Sequence, residues 1–334
     1  MSAADAVAAV MFLAIVMYAV FGGADFGSGI WDLTAGDTTK GSRTRRLIDH
    51  AIGPVWEANH VWLIFVLVFL WSGFPSAFTT LMTDLAIPFW LAALGIVARG
   101  AAFAFRKYAP TLRLAQLSGI IFAVSSLVTP FFFGAIAGAV ASGKTVSDGA
   151  WPAWLETTSI LGGLLAVSTC TFLAGVLLTA EADRLGDQDL ADELAAKSLI
   201  GGIATGMIAL TGFPILLTND QVLVDGLLGQ ALPIAILSGL SAFATIYLLR
   251  EQRYSAARVS AAAAVGLVTV GWGVAQYPWI IVDQISIDQA AGAQATLIGL
   301  LIAAAIAAVL IVPPLLYLFA LADGRAHADT ANKG

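Results

Sequence analysis

Long apolar runs alternate with short polar gaps from one end of the chain to the other, and nine of them reach the roughly 20 residues that a helix needs to cross a bilayer. They cover 6–31, 51–72, 80–104, 116–141, 154–180, 198–218, 230–249, 259–282 and 295–321. The pattern predicts an all-α polytopic membrane protein of nine transmembrane helices, with residues 1–334 forming one transmembrane domain. All but two of the sixteen Lys and Arg residues fall in alternate gaps: Lys40, Arg43, Arg45 and Arg46; Arg106, Lys107 and Arg113; Arg184 and Lys197; Arg250, Arg253 and Arg258; and the tail with Arg325 and Lys333. Short basic loops resist translocation, so these gaps are assigned to the cytoplasm, the N-terminus to the outside and the C-terminus to the inside. Of the other two, Lys144 lies in an opposite-side gap and Arg99 inside an apolar run.

Punctuation inside the runs refines this picture. Pro88, Pro130, Pro214, Pro278, Pro313 and Pro314 predict kinked helices around an interior site, since membrane helices tolerate proline where neighbours satisfy the freed carbonyls. Proline is also simply commoner in membrane helices. The small-residue stretches SGIIFAVSS, LGGLLAVS, IGGIATG and VSAAAAVG predict close helix contacts. The acidic gap EADRLGDQDLADE predicts a short, solvated surface helix between the fifth and sixth spans.

Composition excludes a soluble core: 59% of residues are hydrophobic and 11% charged, against roughly 25% charged in soluble domains. The net charge of -6 owes much to that one acidic gap, so it points to no nucleic-acid partner. The single cysteine, Cys170, allows neither a disulfide framework nor a thiolate metal site within the chain. The start, MSAADAVAAVMFL, lacks a basic n-region and is assigned to the first membrane helix rather than to a cleaved signal peptide.

An ionisable side chain at the bilayer centre costs on the order of 2.5–3.5 kcal/mol, so those present line a path or pair with one another. By helical rise Asp25 lies about 10 Å above the inner end of the first span at Asp32. Glu57 lies a similar distance inward from Asp49 and His50, and Arg99 a similar distance above Arg106. These three charges, from three neighbouring spans, predict a mutually paired interior group in which Arg99 balances one carboxylate and leaves the other free to titrate. Glu57 and His60 stand three residues apart on one helix face, with Trp56 adjoining and Asn59 adding an amide. His60 is read either as a relay or as a hydrogen-bonded structural residue. Asp84 is assigned to the outer interface, and Trp62, Trp71, Trp151, Trp154 and Trp279 to interfacial anchoring.

No metal or haem set emerges. The histidines His50, His60 and His327 show no metal-ligand spacing beyond Glu57 with His60, and the intramembrane Met11, Met17, Met82 and Met207 have no axial partner except His60.

The motifs YAVFGGADFGSGIWDL and IGPVWEANHVWLIF, followed by ARGAAFAFR, SLVTPFFFG and AQYPWIIVDQISI, resemble subunit II of the cytochrome bd-type quinol oxidases, in the same order and over essentially the whole chain. That resemblance implies a heterodimer in a bacterial or archaeal-type cell membrane, accompanied in some cases by a small accessory membrane subunit. The partner, subunit I, would carry haems b and d and the quinol-oxidation site. Subunit II would hold no cofactor firmly, with a structural quinone in some members, and would bring protons from the cytoplasm. The acid of the family's W-acid-x-N motif falls on Glu57 and that of its G-x-D-x-G-x-G motif on Asp25. Arg99 and Arg106 open and close its aromatic segment, and both are assigned, with Trp56 and Trp62 of the second motif, to charge pairing and structure. The chain departs from the family at Gly22 and Ala104, where many members carry acids, and in STCTFLAGVLLTAEA, which lacks the usual His-Gly pair. These departures point to a divergent branch. A secondary transporter is the alternative, although its inverted repeats and midplane charges are not evident in this sequence.

Overall fold

The computed structural model describes residues 2–36, 41–53, 56–108, 111–145 and 152–331. The predicted positions Lys40, Trp151 and Lys333 lie outside them. The chain is helical almost throughout. Eight described helices are long and apolar enough to cross a membrane, or nine spans if one bent pair counts as a crossing.

The first span is continuous from Ala3 to Thr34. It comprises α1 (Ala3–Met17), a π-helical turn (Tyr18–Gly22) and α2 (Gly23–Thr34). A reciprocal capping box opens it: the Asp5 N–H donates to Ser2 Oγ at 3.1 Å and the Ser2 N–H to Asp5 Oδ2 at 2.9 Å. The helix α3 (Ser42–Ile52) is a separate amphipathic element that buries Leu47, Ile48 and Ile52. The predicted second span therefore starts later than residue 51, at α4 (Trp56–Gly73).

Pro75 opens α5 (Pro75–Asp84), where its missing N–H costs no helical bond. The chain bends by 116° between α4 and α5. The predicted third span accordingly loses residues 80–84 to α5 and begins with α6 (Ala86–Tyr108). Thr111 caps α7 (Leu112–Ala141), accepting from the Leu114 N–H at 3.3 Å. After a short 3₁₀ turn, Ala153–Leu155, comes α8 (Thr157–Arg184).

The surface helix predicted in the acidic gap is the first three turns of one long helix, α9 (Gln188–Asn219), capped by the Asp187 side chain. Gly186, at φ +78°, supplies the left-handed residue that ends α8 and admits this turn. The remainder is α10 (Gln221–Leu228), α11 (Leu232–Arg250), α12 (Tyr254–Gln276), the hairpin β1 (Trp279–Ile281) and β2 (Ile285–Ser286), α13 (Ile287–Ala290) and α14 (Gln294–Ala331). The eighth span was predicted to reach 282. It stops at Gln276, and Pro278 lies beyond the helix in the approach to β1. Pro130, Pro214, Pro313 and Pro314 do fall inside helices.

Small residues set the tightest crossings. A Cβ on Gly27 of α2 would stand 1.9 Å from the Cys170 carbonyl oxygen of α8, and one on Gly134 of α7 would stand 2.3 Å from the Gly162 carbonyl oxygen. The stretch LGGLLAVS thus packs as predicted. The stretch IGGIATG does so only in part: a Cβ on Gly202 would stand 2.8 Å from Phe172 Cε2, whereas Gly201 and Gly206 have open space where a side chain would go, and α9 turns most of this face outward. Gly27→Ala is expected to lower the stability of the assembled protein by about 1–3 kcal/mol, the usual cost of forcing volume into a packed contact. Gly119→Ala, with no atom in its way, should not. Thermal denaturation of the two variants side by side checks the difference.

Apolar packing falls into two large clusters and a small third one around Leu223 and Ala275. One of the large clusters joins Trp31, Ile48, Leu178, Leu194, Leu249 and Tyr254. The other joins Val7, Phe69, Phe74, Leu81, Ile281 and Leu297.

Candidate functional site

The predicted pairing of charges is centred on α2, α6 and α7. Asp25 and Arg99 are 2% and 1% exposed. The Arg99 guanidinium grips the Asp25 carboxylate with both ends, Nη2 to Oδ1 at 2.7 Å and Nη1 to Oδ2 at 3.1 Å, and Nη2 also donates to the Asp25 carbonyl at 2.9 Å. Its remaining nitrogen, Nε, donates to Ser126 Oγ of α7 at 2.9 Å. The rings of Phe26 and Phe122 lie 5.2 and 4.7 Å from the guanidinium carbon. A planar, bidentate donor stacked on aromatics suits arginine and not lysine. The pair is satisfied in place, so it is stable as a unit and costly to break by halves.

A second rung lies two turns further along the same helices. Arg106 bonds Asp32, which is 4% exposed, and also reaches Asp49. Arg45 of α3 donates from Nε to Asp32 Oδ1 at 2.8 Å. Asp25 and Asp32 are seven residues apart, as are Arg99 and Arg106, so two parallel helices carry matching acid and base rungs about 10.5 Å apart. Phe122, fully buried, lies against both guanidiniums.

Glu57 is placed differently from the prediction of an interior group. It sits in the first turn of α4 with its side chain exposed, and makes no ion pair among the described residues. The α3–α4 break shortens its lead into the span, so it stands close to the helix end rather than two turns along it. At that end the helix dipole favours a carboxylate. Glu57 belongs to an exposed stripe with Val61, Ile64, Val68 and Trp71, spaced as one helix face.

The rest of the predicted cluster turns inward from the same helix. Asn59 is 6% exposed and donates from Nδ2 to the Phe21 carbonyl at 3.4 Å. The His60 ring lies 6.3, 6.4 and 6.4 Å from the rings of Tyr18, Phe26 and Trp56. No hydrogen bond joins it to Glu57 among the described residues, although the two share a turn. Trp56 packs on Phe103 at 5.6 Å and over Gly100, where a Cβ would be 3.3 Å from its ring. Trp62 is half-buried on α4. Asp84 accepts from Thr145 Oγ1 at 3.2 Å. Asp32, Arg45, Ser126 and Tyr18 were not anticipated as members of the site; the seven-residue spacing of Asp25 and Asp32 was the available signal for the first.

No group of three potential metal ligands occurs among the described residues. Between α6 and α7 lies an apolar groove of about 340 Å³, lined by Leu91, Leu94, Ala98, Ile120, Val124 and Val128.

Comparison with known proteins agrees on one family. A family model described as "Cytochrome bd terminal oxidase subunit II" matches residues 3–322. A Bacillus subtilis protein, "Cytochrome bd ubiquinol oxidase subunit 2", is 26% identical over 197 residues, which are 56% of this chain. The match spans 55% of that relative's length. The bd oxidase structure from Geobacillus thermodenitrificans superimposes with a TM-score of 0.79 at 22% identity, over 96% of this chain and 98% of the other, and establishes the shared fold.

Proposed function

The chain belongs to the cytochrome bd terminal oxidase subunit II family, and from that premise we propose that it is the haem-free subunit of a membrane quinol:oxygen oxidoreductase. It packs as a single transmembrane domain against a haem-bearing subunit I in the cell membrane, with its N-terminus outside and its C-terminus in the cytoplasm. Glu57, Asn59, His60 and Asp25 form its share of a cytoplasmic proton-uptake route, while Arg99 and Arg106, packed beside Trp56 and its neighbours, hold the bundle around them. The isolated chain is not itself catalytic.

The exposure of Glu57 carries this reading. Glu57 heads an exposed apolar stripe at the start of α4, and a stripe of this kind with a carboxylate at its end suits the surface of a partner that covers both. Covered there, it has water on the cytoplasmic side and the partner's interior on the other, the position of an entry residue. Oxygen reduction consumes protons, and a static carboxylate and imidazole can supply them without any helix moving. The Asp25–Arg99 pair fixes α2 against α6 and α7, and α2 continues the π-turn on which α4 packs.

The residues present do not fit a haem. His60 is the one histidine within the apolar spans, with the rings of Tyr18, Phe26 and Trp56 around it at 6.3–6.4 Å and no second histidine to pair with it across a macrocycle. Nor does the α6–α7 groove fit a quinone head: its polar atom, Ser125 Oγ, already donates to the Ile121 carbonyl at 2.6 Å. A prenyl tail or lipid acyl chain suits it better. The chain expressed alone is expected to bind no haem, as read by the absorption spectrum of the purified subunit. Stoichiometric haem on the isolated subunit, lost on changing His60, would contradict this.

A further inference from the structure

The first span widens into a π-turn at Tyr18–Gly22, a geometry that is rare and concentrated at functional sites. Gly22 has no side chain and the Tyr18 ring fills the space above it: a Cβ there would stand 3.0 Å from Tyr18 Cε2. Phe26 and Phe133 hold that ring edge-on, with centroids at 6.1 and 5.9 Å and planes at 83° in both cases. The phenol is therefore held in place, and its hydroxyl is buried with no partner among the described residues. The His60 ring lies 6.3 Å from that of Tyr18, and its Nδ1 is likewise buried with no partner among the described residues. The carbonyl of Phe21, inside the π-turn, accepts from Asn59. The π-turn thus meets the one polar turn of α4, and two polar atoms there are left without protein partners. Each orphan costs about 1–3 kcal/mol unless satisfied, and a single water can donate to one and accept from the other.

We propose that Tyr18 Oη and His60 Nδ1 are joined by a bound water, and that this linked pair carries protons between the Glu57 surface and the region of the Asp25–Arg99 pair. The proposal rests on the proton-uptake role assigned above. Protons balance from end to end: Glu57 gives one up, His60 accepts it on Nε2 and releases one from Nδ1, the water and the Tyr18 hydroxyl each accept one and release one, and the Asp25 carboxylate takes the last.

The test uses the assembled complex with its haem-bearing partner. Tyr18→Phe keeps the ring that packs on Phe26 and Phe133, so yield and haem content should be unchanged. Oxygen uptake per haem should fall at least about tenfold, as should that of His60→Gln, and the double variant should fall no further than the worse single one. In ¹⁵N-histidine spectra, with the His60 signal identified by its loss in His60→Gln, the Nδ1 resonance should shift in Tyr18→Phe. Full turnover in Tyr18→Phe, additive losses, or an Nδ1 signal indifferent to Tyr18 would each overturn the proposal. Glu57→Gln separates the two ideas: full turnover there with the Tyr18–His60 coupling intact removes Glu57 as the entry and leaves the pair, whereas the reverse removes the pair alone.

Discussion

Arg99→Leu is expected to abolish accumulation of the assembled complex, while Arg113→Leu leaves its yield near that of the parent. Removing the guanidinium leaves the Asp25 carboxyl, 2% exposed, without the partner that both its oxygens share, and strips Ser126 of its donor. Breaking one half of a buried pair costs about 3–5 kcal/mol, enough to unfold a marginal membrane bundle. Arg113 is exposed near the start of α7 and its loss orphans no buried group. Haem absorbance per unit of membrane protein reads the outcome, and equal yields would contradict the pairing. Replacing both partners, Asp25→Leu with Arg99→Met, should recover assembly in part, because two apolar groups leave no charge stranded.

Glu57→Gln should assemble normally, keep its haem complement and lose quinol-driven oxygen consumption by about a hundredfold, the scale of a positioned proton-transfer group. The amide keeps size and some hydrogen bonding but gives up the titratable proton. Glu57→Asp should retain more activity, since an acid remains at the helix N-terminus where the dipole favours it, and any deficit reflects its shorter reach. A purely structural role orders the variants the other way, because Gln preserves shape better than Asp. Oxygen uptake normalised to haem d distinguishes the two orders.

The hydropathy runs and the alternation of basic gaps were enough to read the class and most of the spans. What they could not register is where a helix bends or continues. The 116° turn at Phe74–Pro75 looked like a loop because both arms are apolar, and the start of α9 looked like a separate surface helix because its charges end the apolar run although its backbone does not break. Depth along a helix was legible for Asp25 and Arg99, which fall at one level and pair, but not for Glu57, because α4 begins later than the apolar run does. Azimuth was not: Glu57 shares a turn with His60 yet faces outward, a distinction set by how α4 rolls against the first span. The second rung, Asp32 with Arg106, was written in the equal seven-residue spacings on two parallel helices. Arg45 was not, because its contact depends on how α3 folds back beneath α2.

The most direct measurement is purification of the native complex from membranes through this chain, followed by its absorption spectrum and polypeptide content. The expected result is haem b and haem d bands that co-purify with a second, haem-bearing membrane subunit, in a preparation that consumes oxygen when given quinol. A colourless homo-oligomer of this chain would contradict it and would favour a transporter instead.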